Sequence, residues 1–176
     1  MTLIAPPSLQ IGDLIYLCAP AKAIEENYVV AAEKWLHSIG LRAIRSKNLM
    51  GRHHYFSGTE IERMTDLQEG LDHPEAKAIW CVRGGYGCIQ IVDGLQWAQF
   101  IKEPKWIVGF SDICVLHHQI QSLGFQSIHA TMALNIDKNS GLAKQRLQEL
   151  LFGQKKSFEL QTNTFNKLGS ANGVLI

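Results

Sequence analysis

Two short segments hold the residue types that could do chemistry. The first is Gly109-Phe110-Ser111-Asp112, which follows the apolar run Trp106-Ile107-Val108 and precedes a segment of helical pattern. A serine at a strand-to-helix turn can stand as a nucleophile elbow, its oxygen raised above the end of the sheet. The N–H groups of the following first turn lack intrahelical acceptors, and the helix end carries a partial positive charge. They could stabilise a developing oxyanion, with the Asp112 N–H as the obvious donor. The pattern departs from G-x-S-x-G in having Ile at 113. The plainer alternative is that Ser111 or Asp112 only caps the helix.

The second segment is Arg83-Gly84-Gly85-Tyr86-Gly87. Three glycines in four residues allow a tight turn that bares backbone N–H groups to a phosphate, a carboxylate or an oxyanion. No Gly-Lys-Ser/Thr follows, so this is not a Walker A loop. Gly85-x-Gly87-x-x-Gln90 also lacks the third glycine of the dinucleotide fingerprint, so no nucleotide cofactor is expected. Arg83 supplies a charge for an anionic group.

The other reactive types are less organised. His53-His54 and His117-His118 are adjacent pairs, and neighbours on a helix diverge by about 100°. With no i, i+4 His pair and no H-E-x-x-H, no metal site is expected; His117 and His118 read as packing or surface residues. Cys18, Cys81, Cys88 and Cys114 form no C-x-x-C pair and read as reduced thiols of a cytoplasmic protein. Cys114 falls inside a helix, which argues against a cysteine nucleophile.

Positioning these loops requires a scaffold, and the apolar pattern describes one. Strands are expected over 13–19, 41–45, 78–82, 105–110 and 125–129. Helices are expected over 25–39, 59–71, 88–95, 112–123 and 142–151, the second opening on a capping box, Thr59-x-x-Glu62. Alternating strand and helix gives an α/β fold: a mostly parallel sheet with helices on both faces and ligands at the carboxyl ends of the strands. Residues 1–153 form this domain. Residues 154–176 read as a linker and the beginning of a truncated, β-rich C-terminal domain, with strand pattern at 156–160 and 165–176. The apolar Gly173-Val-Leu-Ile176 suggests a fragment, and an open strand edge there would favour a homodimer.

With 176 residues, 46% apolar and 19% charged, the chain is long enough for one packed core. A net charge of +1 leaves no footprint for nucleic acid. No apolar run reaches the roughly 18 residues of a membrane span, and the N-terminus has no secretory signal pattern.

Four segments occur in a telling order: Phe56-Ser-Gly-Thr-Glu-Ile-Glu-Arg-Met-Thr-Asp-Leu67, Ala78-Ile-Trp-Cys-Val-Arg-Gly-Gly-Tyr-Gly87, Pro104-Lys-Trp-Ile-Val-Gly-Phe-Ser-Asp-Ile113 and Ser127-Ile-His129. From about Ile11 to about Ile136 the chain resembles the N-terminal half of the LD-carboxypeptidase family of serine peptidases. That family includes muramoyl-tetrapeptide carboxypeptidases and microcin C immunity peptidases. The resemblance implies a class I glutamine-amidotransferase-like domain, with Ser111 as nucleophile and the N–H groups of Asp112 and Gly85 as the oxyanion hole. On electrostatic grounds Arg83 is expected to meet the carboxylate of the terminal D-residue, with Gly84 and Tyr86 beside it at the substrate, and the resemblance further implies a cytoplasmic homodimer that needs no metal. The substrate would be a muropeptide or other small peptide losing a terminal D-alanine in peptidoglycan recycling, or alternatively a peptidyl-nucleotide antibiotic of the microcin C type. The family's Glu and His are expected beyond residue 176, so this chain by itself should hydrolyse little. Two departures, Glu60 for Asp and His129-Ala130 for His-Gly, bear on substrate contacts. Two further readings compete: an anion-binding domain without catalysis, and a cysteine hydrolase of the amidotransferase type.

Overall fold

The computed structural model describes residues 3–154 together with Thr164 and Gly169. The strand patterns read at 156–160 and 165–176 lie outside the described residues.

Five strands form one sheet, all parallel, in the order β2-β1-β3-β4-β5. In chain order the elements are β1 (Leu14–Cys18), α1 (Glu26–Ser38), β2 (Arg42–Arg45), α2 (Glu60–Asp72), β3 (Ala76–Cys81), α3 (Cys88–Ile91), α4 (Ala98–Lys102), β4 (Trp106–Gly109), α5 (Cys114–Ser122), β5 (Ile128–His129) and α6 (Gly141–Leu151). One-turn 3-10 segments lie at Val92–Gly94, Ser111–Ile113 and Ala133–Asn135.

The alternation of side chains along each strand divides the core in two. Ile15, Leu17, Ala78, Trp80 and Val108 meet Val29, Ala32 and Leu36 of α1 and Leu147 and Leu151 of α6. Tyr16, Cys18, Ile79, Cys81 and Ile107 face the other way, onto Leu67 and Leu71 of α2, Ile91, Phe100, and Leu116 and Ile120 of α5. The helices therefore cover both faces, as the sequence pattern requires. The capping box of α2 is present: Thr59 N–H donates to Glu62 Oε2 at 2.7 Å, and Glu62 N–H donates to Thr59 Oγ1 at 3.3 Å.

Three expected elements differ in extent, among them the strand expected over 125–129, which is reduced to Ile128–His129. The helix expected over 88–95 is one turn of α-helix continued as a 3-10 turn. The helix expected from 112 begins at Cys114, preceded by the 3-10 turn at Ser111–Ile113. The short α4, packed through Phe100, escaped the periodicity because five residues hold too little of a 3.6-residue repeat.

Strand order reverses between β1 and β3, where one crossover leads to β2 and the next returns to β3. The crevice at a reversal, outside the carboxyl ends of the strands, is where such sheets place ligands. The loops that follow β1, β3 and β4 meet there.

Candidate active site

Ser111 follows β4 with φ of +62° and is exposed. Left-handed backbone is unfavourable for a residue with a Cβ and persists only where the surroundings enforce it. Phe110 before it is extended, at φ −152°. A Cβ at Gly109 would sit 2.9 Å from Ile113 Cγ1, so only glycine lets the turn close this tightly. Extended strand, left-handed serine and helical turn together make the elbow expected from the sequence. No side chain caps the turn, so the reading of Ser111 or Asp112 as a mere cap is set aside.

The glycine loop packs directly against this elbow. A Cβ on Gly84 would lie 3.4 Å from both Asp112 N and Ser111 Cβ, so the two loops touch. Asp112 Oδ2 accepts from Cys88 N–H at 3.0 Å, tying the start of α3 to the elbow. Gly85 and Gly87 take φ of +124° and +144°, conformations that side chains resist. Among the described residues the Gly85 N–H donates to no partner. The Asp112 N–H lies in the first turn after the elbow, where N–H groups are left over. Gly84 is the residue of the loop that lies directly against Ser111 and Asp112.

Arg83 and Tyr86 complete the loop. Arg83 is half-buried and donates from Nη1 to the Ala23 carbonyl. Tyr86 is 48% exposed, with its ring centroid 6.5 Å from that of Phe56. Tyr55 adjoins Phe56 at 4.1 Å between centroids, so rings line one side of the opening.

The structure adds Arg63, which the motif reading passed over. It is 2% exposed, and Nη1 donates to the Pro20 carbonyl at 2.8 Å and the Gly87 carbonyl at 3.0 Å. Nη2 donates to Gln90 Oε1 at 2.7 Å, and the guanidinium lies 4.4 Å from the Phe56 ring centroid. Arg63 thus joins the loop after β1 to the glycine loop. A signal was available in the sequence: Arg63 falls on the apolar stripe of α2 with Leu67, Gly70 and Leu71.

His117 is buried. The Gly109 carbonyl can only accept, so His117 Nε2 carries the proton at 3.0 Å, and Nδ1 accepts from Ser127 Oγ at 2.8 Å. Burial pushes its pKa below the ordinary histidine range, which favours this neutral form. Both ring nitrogens are engaged, so His117 is a support of the β4 terminus. Cys114 sits in the first turn of α5, away from the elbow position. Among the described residues no group of three His, Cys, Asp or Glu is placed to hold a metal ion, and no helix is long and apolar enough to cross a membrane.

Comparison with known proteins gives the chain a family and a fold. The family model for the LD-carboxypeptidase N-terminal domain matches residues 15–130. The chain is 34% identical to the murein tetrapeptide carboxypeptidase of Pseudomonas aeruginosa over 138 residues, covering 78% of the chain and 45% of that relative. It is 30% identical to the probable murein peptide carboxypeptidase of Bacillus subtilis, covering 97% and 56%. The chain therefore spans about half the length of these relatives. Among solved structures, the microcin C7 self-immunity protein with adenosine monophosphate superposes at a TM-score of 0.79, with 21% identity, over 92% of this chain and 51% of that one. The muramoyltetrapeptide carboxypeptidase from Oxalobacter formigenes gives 0.70 with 24% identity, over 78% and 47%.

Proposed function

The chain belongs to the LD-carboxypeptidase family, whose N-terminal domain it carries, and on that premise we propose that Ser111 is the nucleophile of a serine carboxypeptidase. The substrate is a muropeptide tetrapeptide, and the bond cut is the L,D peptide bond that holds a terminal D-alanine. The observation that supports this most is the left-handed Ser111 set against a glycine loop with an unpaired N–H.

Ser111 Oγ attacks the scissile carbonyl, and the negative charge on the carbonyl oxygen falls between the N–H groups of Asp112 and Gly85. The C–N bond breaks, D-alanine leaves with a proton on its amine, and water releases the acyl group. Gly84 keeps the cleft open where a side chain would crowd the elbow, Tyr86 flanks the substrate, and Arg83 contributes positive charge. A base is needed to take the Ser111 proton. Among the described residues no histidine or carboxylate hydrogen-bonds Ser111 Oγ, and His117 is fully engaged. We assign the base to a Glu–His pair outside residues 1–176, as the family resemblance implies. The reaction fits a cytoplasmic homodimer acting in peptidoglycan recycling.

The test is D-alanine release from a muropeptide tetrapeptide. The protein in the form its source makes should release it, and Ser111→Ala should abolish release. The 176-residue chain by itself should release little. A peptidyl-nucleotide substrate run in parallel distinguishes the immunity-peptidase activity. No release by the native form, or release that survives Ser111→Ala, would reject the assignment.

A further inference from the structure

We infer that Lys22 is the residue of this site that recognises the C-terminal carboxylate of the peptide; the inference rests on the carboxypeptidase reading above. Lys22 lies in the loop after β1, at the reversal of strand order. Its backbone N–H donates to the Gly84 carbonyl at 3.4 Å, and it bridges to Phe56 on the opposite side. The side chain runs over the glycine loop. A Cβ on Gly85 would stand 2.5 Å from Lys22 Cδ, 2.7 Å from Cγ and 3.0 Å from Cε. The missing side chain of Gly85 is therefore the space the Lys22 stem occupies.

The ammonium ends 5.4 Å from the centroid of the Tyr55 ring. Among the described residues no carboxylate pairs with it. The neighbouring cations are differently engaged. Arg63 donates to the Pro20 and Gly87 carbonyls and to Gln90, and Arg83 donates to the Ala23 carbonyl. The acidic side chain at the junction, Asp112, accepts from Cys88 N–H. Lys22, Arg63 and Arg83 thus border the loop, with Asp112 at the junction and Glu60 acting on Arg63, and three cations beside one turn attract an anion.

The geometry of the reaction places that anion. In a carboxypeptidase substrate the terminal carboxylate is one residue, about 3.8 Å, beyond the scissile carbonyl. With the carbonyl oxygen at Gly85 N–H, the carboxylate falls within one residue of the loop that the Lys22 stem crosses. Tyr55 holds the ammonium to one side by its ring face, and that contact leaves the charge available to a carboxylate.

The experiment compares two N-acylated L-Lys-D-Ala peptides, one with a free carboxylate and one a C-terminal amide, titrated into the Ser111→Ala variant of the protein in the form its source makes, so that nothing turns over. Binding is read from backbone amide shifts across 84–87. The free acid should bind at least tenfold tighter than the amide. Lys22→Gln should bring the two within about twofold, and Lys22→Arg should restore the preference. Lys22 is half-buried at a loop surface, and its variants' spectra report directly whether they fold. A tenfold preference surviving in Lys22→Gln, or equal binding of acid and amide from the start, would overturn the role of Lys22. No binding of either peptide would reject the peptidase reading itself, and the inference with it.

Discussion

The carboxylate of Asp112 accepts a hydrogen bond from the backbone N–H of Cys88, 24 residues earlier, at 3.0 Å. One residue therefore offers its own N–H to the space beside Ser111 and uses its side chain to moor the glycine loop. Asp112→Ala should lower stability by about 1–2 kcal/mol, the worth of a charge-assisted hydrogen bond to a helix end. Urea denaturation measures the loss. Amide exchange at Gly85 and Cys88 should quicken, and Asp112→Asn, which keeps an acceptor, should retain most of the protection. Unchanged exchange in Asp112→Ala would show that the loop is held by its glycines alone.

The backbone of Ser111 makes the opposite prediction. Its φ of +62° costs a residue with a Cβ and costs glycine nothing. Ser111→Gly should stabilise the fold by about 1 kcal/mol, and Ser111→Val should destabilise it by a similar amount or more. A nucleophile whose replacement stabilises the protein occupies a strained position kept for reactivity. Denaturant midpoints of the two variants decide the matter; a destabilised Ser111→Gly would mean the turn is unstrained.

Arg63 holds the other side of the glycine loop. Arg63→Met leaves the Pro20 and Gly87 carbonyls without their buried donor, and it should cost about 2–4 kcal/mol. Arg63→Lys keeps the charge and the stem, and it should recover part of that loss. The pair is read by thermal and urea unfolding. Equal stability of wild type and Arg63→Met would show that water replaces the guanidinium at no cost.

The scaffold was readable because its signals are periodic. Tyr16 and Cys18 alternate with Ile15 and Leu17, and Val29, Ala32 and Leu36 recur at helical spacing, so one strand and one helix each face two ways as their patterns demand. Ser111 was readable because a strand, a glycine and a helical segment converge on it. The left-handed backbone at Ser111 and the three-way grip of Arg63 were not. The grip of Arg63 arises from contacts between residues 24 to 43 positions apart, and such contacts leave no local period. Lys22 was invisible for the same reason: its neighbour Gly85 is 63 residues away, and the match is between a stem and a missing side chain.

The buried thiols give the fold a defined alkaline limit. Cys18 and Cys81 are register partners on β1 and β3, and Cys88 begins α3; all three are fully buried. Burial raises all three: Cys81 is pushed up to about 12, and Cys18 and Cys88 lie well above the ordinary thiol range. In the unfolded chain they ionise near 8.5, so above that pH unfolding releases three protons and stability falls. Lys105 opposes them. Its amine donates to the Gly70 and His73 carbonyls at the end of α2, and burial pushes its pKa down to about 8. Between about 8 and 10.5 unfolding therefore returns one proton to it, which raises stability with pH. The thiols prevail, joined near pH 10 by the Tyr16 hydroxyl, which burial also pushes up, so stability falls as the pH rises through 10. Cys81→Ala should flatten that fall, and Lys105→Met should steepen it. Urea denaturation of the three proteins between pH 7 and 10.5 measures all three slopes. A wild-type slope near zero would mean that water reaches the thiols and the sheet does not hold them neutral.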